Sequence, residues 1–291
     1  MDFTDQLAVI TGGASGVGRS LAVALAREGA RLLLADVDER ALARTRKAIE
    51  ADAGTADALV CDVTDPSSLE ALAVFAFDDL GGARFVFANA GIAAGEAGPL
   101  WEYAEADWKW CFEVNFWGVV NTVNAFMPRL VRQDREAHFV ITGSANGAFL
   151  VYPEQPVYSA TKAAVQAVAE ALYFQTTAQR SPVRVHALFP GPHVVETGLF
   201  NSDRVRPERF AKPDGAPDTG IRSADDLRRL MKGFGFDLKT THPDEVARLA
   251  LDGVRDGRFW ILPLNPTAES QIRARMASIL DRTDPPVPTL G

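Results

Sequence analysis

The chain has 291 residues, 47% hydrophobic and 23% charged, enough apolar material for one large domain or two small ones and too much for a disordered chain. Its net charge is −8, with Lys and Arg scattered rather than blocked, which excludes nucleic acid and an anionic membrane surface as expected partners. Two distant cysteines, Cys61 and Cys111, outside any C-x-x-C, form no disulfide framework or zinc knuckle; with no signal peptide and no run near the ~20 apolar residues of a membrane span, a cytoplasmic location is expected.

The first apolar run, Leu7–Thr11, predicts a strand, and Gly16–Glu28 a helix with apolar residues three and four apart. Between them lies Thr11-Gly12-Gly13-Ala14-Ser15-Gly16-Val17-Gly18. Glycines at Gly12, Gly16 and Gly18 let a backbone turn tightly and approach a pyrophosphate, and the helix start that includes Ser15 and Val17 offers free N–H groups to it.

The second strand, Arg31–Asp36, ends on an acid. Asp36 can accept hydrogen bonds from the adenosine ribose, and it repels a 2′-phosphate; Val37 follows rather than an arginine, so NAD is expected over NADP. The plain alternative is that Asp36 caps the next helix, Glu39–Ala51. A third strand is predicted at Ala58–Cys61, then a helix at Pro66–Leu80 with Asp65 as its cap.

Strand Arg84–Asn89 precedes a long helix, Glu105–Val131, and strand His138–Thr142 precedes the helix Ser159–Ala178. A strand at Val183–Phe189, a helix at Pro243–Val254 capped by Thr241 or His242, and a strand at Phe259–Leu262 complete the alternation. The runs are near-continuously apolar, the pattern of a parallel sheet covered on both faces. The expected fold is therefore α/β, a Rossmann-type doubly wound sheet of about seven strands in one domain.

One stretch breaks the rhythm. Residues 198–241 show no strand pattern but carry Phe200, Phe210, Phe234 and Phe236 among many charges, as a substrate lid does. The tail at 265–291 holds an amphipathic helix, Thr267–Leu280, before a proline-rich end.

Tyr158 and Lys162 stand four residues apart, on one face of a helix. A tyrosine hydroxyl ordinarily titrates near about 10, and a lysine charge beside it favours the phenolate, which makes it a usable general acid and base. Ser144, at the end of a strand, can hydrogen-bond a substrate oxygen, and Lys162 can also reach a nicotinamide ribose.

The glycine loop, Asp62-Val63, Asn89-Ala90-Gly91, Asn115, Ser144, Tyr158-Ser159-Ala160-Thr161-Lys162 and Pro190-Gly191, in that order, resemble the short-chain dehydrogenase/reductase superfamily from Leu7 to Pro192. The resemblance implies that Asp62 and Val63 contact adenine, that Asn89, Ala90 and Gly91 support the sheet and line the cofactor, and that Ser144, Tyr158 and Lys162 are catalytic. Asn115 resembles the family's asparagine that holds a water in a proton relay; as a bare residue it could equally be a buried amide tying helix to sheet, or both. The family is usually a homodimer or homotetramer.

Departures cluster after the sixth strand, in Pro190-Gly191-Pro192-His193-Val194-Val195-Glu196-Thr197. Val194 fits the family's carboxamide contact, whereas Thr197 sits late; His193 could touch the substrate or be an ordinary polar residue of the loop. His138, His186 and His242 are scattered without metal-ligand spacing, so no metal is expected. Phe149, Leu150, Tyr152 and the four phenylalanines of 198–241, with Trp101 at the rim, would make an apolar pocket beside Tyr158, or else only pack the lid on the body. The expected activity is interconversion of a bulky hydrophobic or aromatic secondary alcohol and its ketone; the long lid also resembles members acting on aryl alcohols, lignin-type Cα-dehydrogenases among them. Two other readings are weaker. A non-catalytic dinucleotide-binding regulator would have lost Tyr158 or Lys162, and an extended-family epimerase or dehydratase would have a T-G-x-x-G-x-x-G loop.

Overall fold

The computed structural model describes residues 1–95 and 97–289; Leu290 and Gly291, the end of the expected tail, lie outside the described residues. Among the described residues the main sheet has seven strands, all parallel. They are β1 (Leu7–Thr11), β2 (Arg31–Asp36), β3 (Thr55–Val60), β4 (Phe85–Ala88), β5 (Ala137–Thr142), β6 (Val183–Leu188) and β9 (Trp260–Ile261), in the spatial order β3-β2-β1-β4-β5-β6-β9. A short parallel pair, β7 (Val194–Val195) with β8 (Thr240–Thr241), stands apart.

Alternate residues of each strand feed two cores. Leu7 and Val9 join Leu69, Leu72, Phe126, Val165 and Ala169 on one face, under α3 (Pro66–Val74), α5 (Gly118–Arg132) and α7 (Pro156–Ala178). Ala8 and Ile10 join Leu21, Leu25, Leu42, Val246 and Leu251 on the other, under α1 (Gly16–Arg27), α2 (Glu39–Ala51) and α9 (Pro243–Arg255). Both faces are covered, which is why the strands read as unbroken apolar runs. The chain winds outward from β1 in one direction and then returns through β4 in the other. A crevice for ligands therefore opens at the carboxyl ends of β1 and β4, where the order reverses.

Caps fall where their chemistry places them. Asp65 accepts from the backbone of Ser67, and His242, rather than Thr241, accepts from that of Asp244. Asp38 caps α2 by accepting from Ala41, so Asp36 is not that helix's cap.

Several boundaries differ from the sequence reading, and α7 starts at Pro156, three residues before the expected Ser159, so that Tyr158 lies within it. Strand β3 starts at Thr55, three residues before the expected Ala58, and pairs along all six residues with β2, although Thr55 and Asp57 are polar. The expected helix Pro66–Leu80 passes at Phe75 into a π turn, Phe75–Asp79. The expected helix Glu105–Val131 is three pieces: α4 (Glu105–Cys111), a π turn over Phe112–Trp117, and α5, with Pro128 inside the last.

The stretch 198–241 holds two 3-10 segments, Gly198–Val205 and Glu208–Phe210, then α8 (Ala224–Gly233) and finally β8. The last overturns the expectation of no strand there; two residues are too short for a periodic signal. After β9 comes α10 (Pro266–Asp281).

Candidate active site

The glycine loop follows β1 and turns into α1. A Cβ on Gly18 would lie 2.1 Å from the carbonyl oxygen of Gly12 and 2.6 Å from Asn89 Nδ2, and one on Gly12 would lie 2.8 Å from the Cα of Ala90. Only hydrogen fits at either place, so the loop presses flat against the end of β4. Gly16 has φ +51, a left-handed backbone that glycine adopts freely, and Ser15 caps α1 with extended backbone and no side-chain hydrogen bond. The N–H groups of Gly16, Val17 and Gly18 thus begin a helix whose positive end is open to an anion.

Asp36 ends β2 beside that loop. Its Oδ2 accepts from Ala14 N at 3.0 Å and its Oδ1 from Asp38 N at 3.0 Å. Burial pushes its carboxyl above the usual carboxylate range, while the two backbone N–H groups and Arg204 pull the other way. Asp62 stands just past β3, on the neighbouring strand; its Oδ1 accepts from Thr64 N at 2.9 Å. Val63 is buried against Gly118, where a Cβ would come within 2.7 Å of Val63 Cγ2. Asp36 and Asp62, at the ends of β2 and β3, set carboxylate acceptors beside this glycine loop, as binding of an adenosine dinucleotide would require.

Asn89 ties three strand ends together. Its Nδ2 donates to Thr11 O (3.1 Å), its backbone N–H to Thr11 Oγ1 (3.0 Å), and its Oδ1 accepts from Thr142 Oγ1 (3.2 Å). Ala90 N also donates to Thr11 Oγ1, at 3.2 Å. Gly91 lies directly over the next layer: a Cβ there would come 3.3 Å from Asn115 Oδ1 and 3.5 Å from Lys162 Nζ.

Asn115 is fully buried. Its Oδ1 accepts from Ile92 N (2.8 Å), and its Nδ2 donates to Ile92 O (3.0 Å) and Thr161 Oγ1 (3.0 Å). Both amide donors are spent. The side chain fastens the π turn to the loop after β4 and to the turn of α7 that carries the tyrosine and lysine.

Tyr158 and Lys162 are both buried on α7, with the ammonium 5.8 Å from the centre of the phenol ring. Lys162 Nζ donates to Thr142 O at 2.9 Å, the last residue of β5. Burial draws its pKa down from 10.5 to about 8. Ser144 follows on the same strand end and caps the short α6 (Ala145–Ala148), its Oγ accepting from Asn146 N at 3.2 Å.

The sequence reading missed Asn146, which braces this turn. Its Oδ1 accepts from Ser159 Oγ (2.6 Å) and Tyr152 N (3.2 Å), and its Nδ2 donates to Gln155 Oε1 (3.1 Å). Beside it, a Cβ on Gly147 (φ +100) would strike Ser159 O at 2.3 Å. The serine-bearing turn therefore sits directly on the helix that carries Tyr158 and Lys162. No periodic signal marks a lone asparagine in a turn.

Pro190 and Gly191 leave β6, the Gly191–Pro192 peptide is cis, and Val194 enters β7. His193 donates its backbone N–H to Thr241 Oγ1 (3.2 Å), and its Nδ1 is enclosed with no protein partner among the described residues. Thr197 caps the first 3-10 segment by accepting from Leu199 N (3.3 Å). A Cβ on Gly16 would come 3.0 Å from the Cβ of Thr197, so this residue touches the glycine loop directly.

The expected apolar pocket is corrected by where its aromatic rings point. Phe234 and Phe236 are 71% and 59% exposed and Trp101 is 83% exposed. Phe210 packs with Ile92, Ala94, Trp110 and Val157 in a core of its own. Phe149 packs at a tilt against Phe189 and Trp260, ring centres 4.8 and 5.7 Å away, at the sheet edge. Leu150 is buried, and Phe200 and Tyr152 are half-buried.

The histidines are not all scattered. His138 and His186, on paired strands β5 and β6, are fully buried with Nδ1 of the first 3.0 Å from Nε2 of the second. Among the described residues no group of three His, Cys, Asp or Glu is placed to hold a metal ion, and no helix is long and apolar enough to cross a membrane.

Comparison with known proteins agrees with this architecture. The family model for short chain dehydrogenase matches residues 6–206. A 1-deoxy-11-beta-hydroxypentalenate dehydrogenase of Streptomyces exfoliatus is 35% identical over 86% of this chain and 87% of its own length. A short chain dehydrogenase/reductase from Burkholderia phymatum, solved in complex with NAD, superposes with a TM-score of 0.88 at 34% identity over 99% of both chains. LigO of Sphingobium sp. strain SYK-6, solved in its apo form, superposes at 0.75 with 27% identity, over 97% of this chain and 90% of that one. With the ordered motifs, the seven-stranded parallel sheet and the family match covering most of its length, this chain belongs to the short-chain dehydrogenase/reductase family of oxidoreductases.

Proposed function

We propose that this protein interconverts a secondary alcohol and its ketone with NAD(H) as cofactor. The observation that carries the reading is a buried lysine ammonium one helical turn from a buried tyrosine, beneath Gly91 and beside the strand end that bears Ser144. A buried cation favours a negative partner, and the phenolate of Tyr158, one helical turn away, would supply one.

In the oxidative direction Tyr158 takes the hydroxyl proton of the alcohol while Ser144 holds the same oxygen in place. A bound nicotinamide supplies the hydride acceptor, or the donor in reverse. Lys162 lowers the pKa of Tyr158 and also binds the nicotinamide ribose. Asn115 acts by holding Ile92 and Thr161 in place, the tie that positions both the loop and α7; a proton relay through it would use atoms other than its amide hydrogens.

Gly12, Ser15, Gly16, Val17 and Gly18 hold the pyrophosphate in this reading, Asp36 the adenosine ribose, and Asp62 and Val63 the adenine. Asn89, Ala90, Gly91, Pro190, Gly191 and Val194 line the remainder. NAD over NADP follows from the Asp36 carboxylate, and the Burkholderia structure in complex with NAD supports it.

A bulky hydrophobic substrate rests on the long segment at 198–241 and on the name of the Streptomyces relative, no longer on exposed phenylalanines. We further place the protein in the cytoplasm as a homodimer or homotetramer with 1–291 as one catalytic domain. An absorbance screen with NAD over aliphatic, alicyclic, aryl and terpenoid alcohols, with NADP as control, tests the reading. Turnover with NAD on an apolar cyclic alcohol supports it; no reduction of NAD by any of them counts against it.

A further inference from the structure

The arm formed by residues 197–212 is fastened to the body. Arg206 is its rivet, with a side chain only 7% exposed: it donates to Asp107 Oδ1 (2.7 Å), Ala94 O (3.1 Å), Asp203 Oδ1 (2.8 Å) and Phe210 O (2.9 Å), and lies 4.2 Å over the ring of Trp110. Ser202 and Lys212 add bonds to Ala93 N and Gly95 O.

That rivet carries two other arginines to the carboxyl ends of β2 and β3. Arg204 is oriented by the carbonyls of Gly198 (3.1 Å) and Asn201 (2.9 Å) and faces Asp38 Oδ2 at 3.9 Å, beside Asp36. Arg209 lies 4.9 Å over the ring of Phe210, donates to Thr64 Oγ1 (3.2 Å) and faces Asp62 Oδ2 at 4.0 Å. Neither is a close ion pair, and partly exposed pairs at such distances contribute little to stability. Their positions are set by the arm, and what they enclose is the pair of strand ends where the adenosine half of the cofactor is placed above.

We propose that Arg204 and Arg209 are the outer wall of the adenosine subsite. Arg209 lays its flat guanidinium against adenine at Asp62 and Val63, and Arg204 closes the ribose edge at Asp36 and Asp38. A planar guanidinium stacks on an aromatic face as a compact ammonium does not. The arm reaches the glycine loop at Thr197 and the adenosine end at Arg209, so one segment covers the cofactor from pyrophosphate to base.

The inference rests on the adenosine placement proposed above, and the test separates the two. ADP-ribose, which lacks nicotinamide, is titrated calorimetrically into the full-length wild type and into Arg204→Ala, Arg209→Ala, Arg209→Lys and Asp36→Ala, with NADH in parallel. Arg204→Ala and Arg209→Ala weaken ADP-ribose and NADH alike by roughly five- to tenfold, the loss of one cation–aromatic or charge-assisted contact, at unchanged melting temperature. Arg209→Lys stays weakened because charge alone does not restore the stack. Wild-type affinity in Arg204→Ala and Arg209→Ala, with loss in Asp36→Ala, overturns the wall alone. Wild-type affinity in Asp36→Ala as well overturns the adenosine placement together with it.

Discussion

The ammonium of Lys162 is bonded to the carbonyl oxygen of Thr142 at 2.9 Å, so the helix that carries Tyr158 is pinned to the end of the strand that leads to Ser144. Buried as it is, this lysine titrates near pH 8 rather than 10.5. Because folding depresses the pKa, the destabilisation contributed by this group is absent above 10.5 and sets in as pH drops from there to about 8. At pH 7 the charge costs the fold roughly 3 kcal/mol. Lys162→Met removes that cost and loses one hydrogen bond. It abolishes turnover without lowering the melting temperature at pH 7; a drop of many degrees on calorimetry counts against a lysine retained for chemistry.

Gly18→Ala drives a methyl toward the carbonyl oxygen of Gly12 and toward Asn89 Nδ2. Overpacking of this kind costs about 1–3 kcal/mol, and the strain falls on the loop assigned to the pyrophosphate. NADH affinity by fluorescence titration falls by more than about tenfold. Unaltered binding would remove that loop from the cofactor site.

The two buried histidines give the fold an acid limit. His186 Nδ1 lies 2.6 Å from Arg258 O and so carries a hydrogen, which leaves its Nε2 to accept from His138 Nδ1. Burial and the neighbouring His186, Arg84 and Arg184 pull His138 down from 6.5 to about 3. Both rings are neutral at pH 7. A depressed folded pKa means stability that is complete above 6.5 and lost as pH falls toward 3, at up to about 1.4 kcal/mol per pH unit. His138→Phe keeps the stack on Phe85 and flattens that slope in melts from pH 7 to 4; an unchanged slope assigns the acid limit elsewhere.

Arg206→Met leaves Asp107 buried without its cation and the carbonyls of Ala94 and Phe210 without that donor. Removing one partner of a buried pair costs about 3–5 kcal/mol. Urea unfolding registers that loss, and the freed arm is cut by trypsin after Arg204 and Arg209 long before the body. Resistance equal to wild type would show that Arg206 is not the rivet.

Much of this was legible because the periodicities are strong. The parallel strands read from unbroken apolar runs, and Asp65 and Pro66 gave the start of α3 to the residue. Strand β3 was read short because Thr55 and Asp57 are polar; its ladder to β2 is a matter of pairing that composition does not encode. The π turns at Phe75 and Phe112 keep helical spacing nearly intact, so the breaks are invisible to a 3.6-residue pattern. Tyr158 and Lys162 were readable from local spacing. The His138–His186 pair depends on the register of β5 against β6, and Arg206 depends on where a non-periodic arm lands, 99 residues along the chain from Asp107. Phe149 shows the same limit: its place in the chain is beside Ser144, yet its ring turns to the sheet edge.

The central claim is that Tyr158 moves the proton. Tyr158→Phe, assayed with an alcohol that the wild type oxidises, lowers turnover by on the order of 10³ while NADH still binds within about twofold of wild type. Turnover at the wild-type rate with the phenol hydroxyl gone would contradict the account outright.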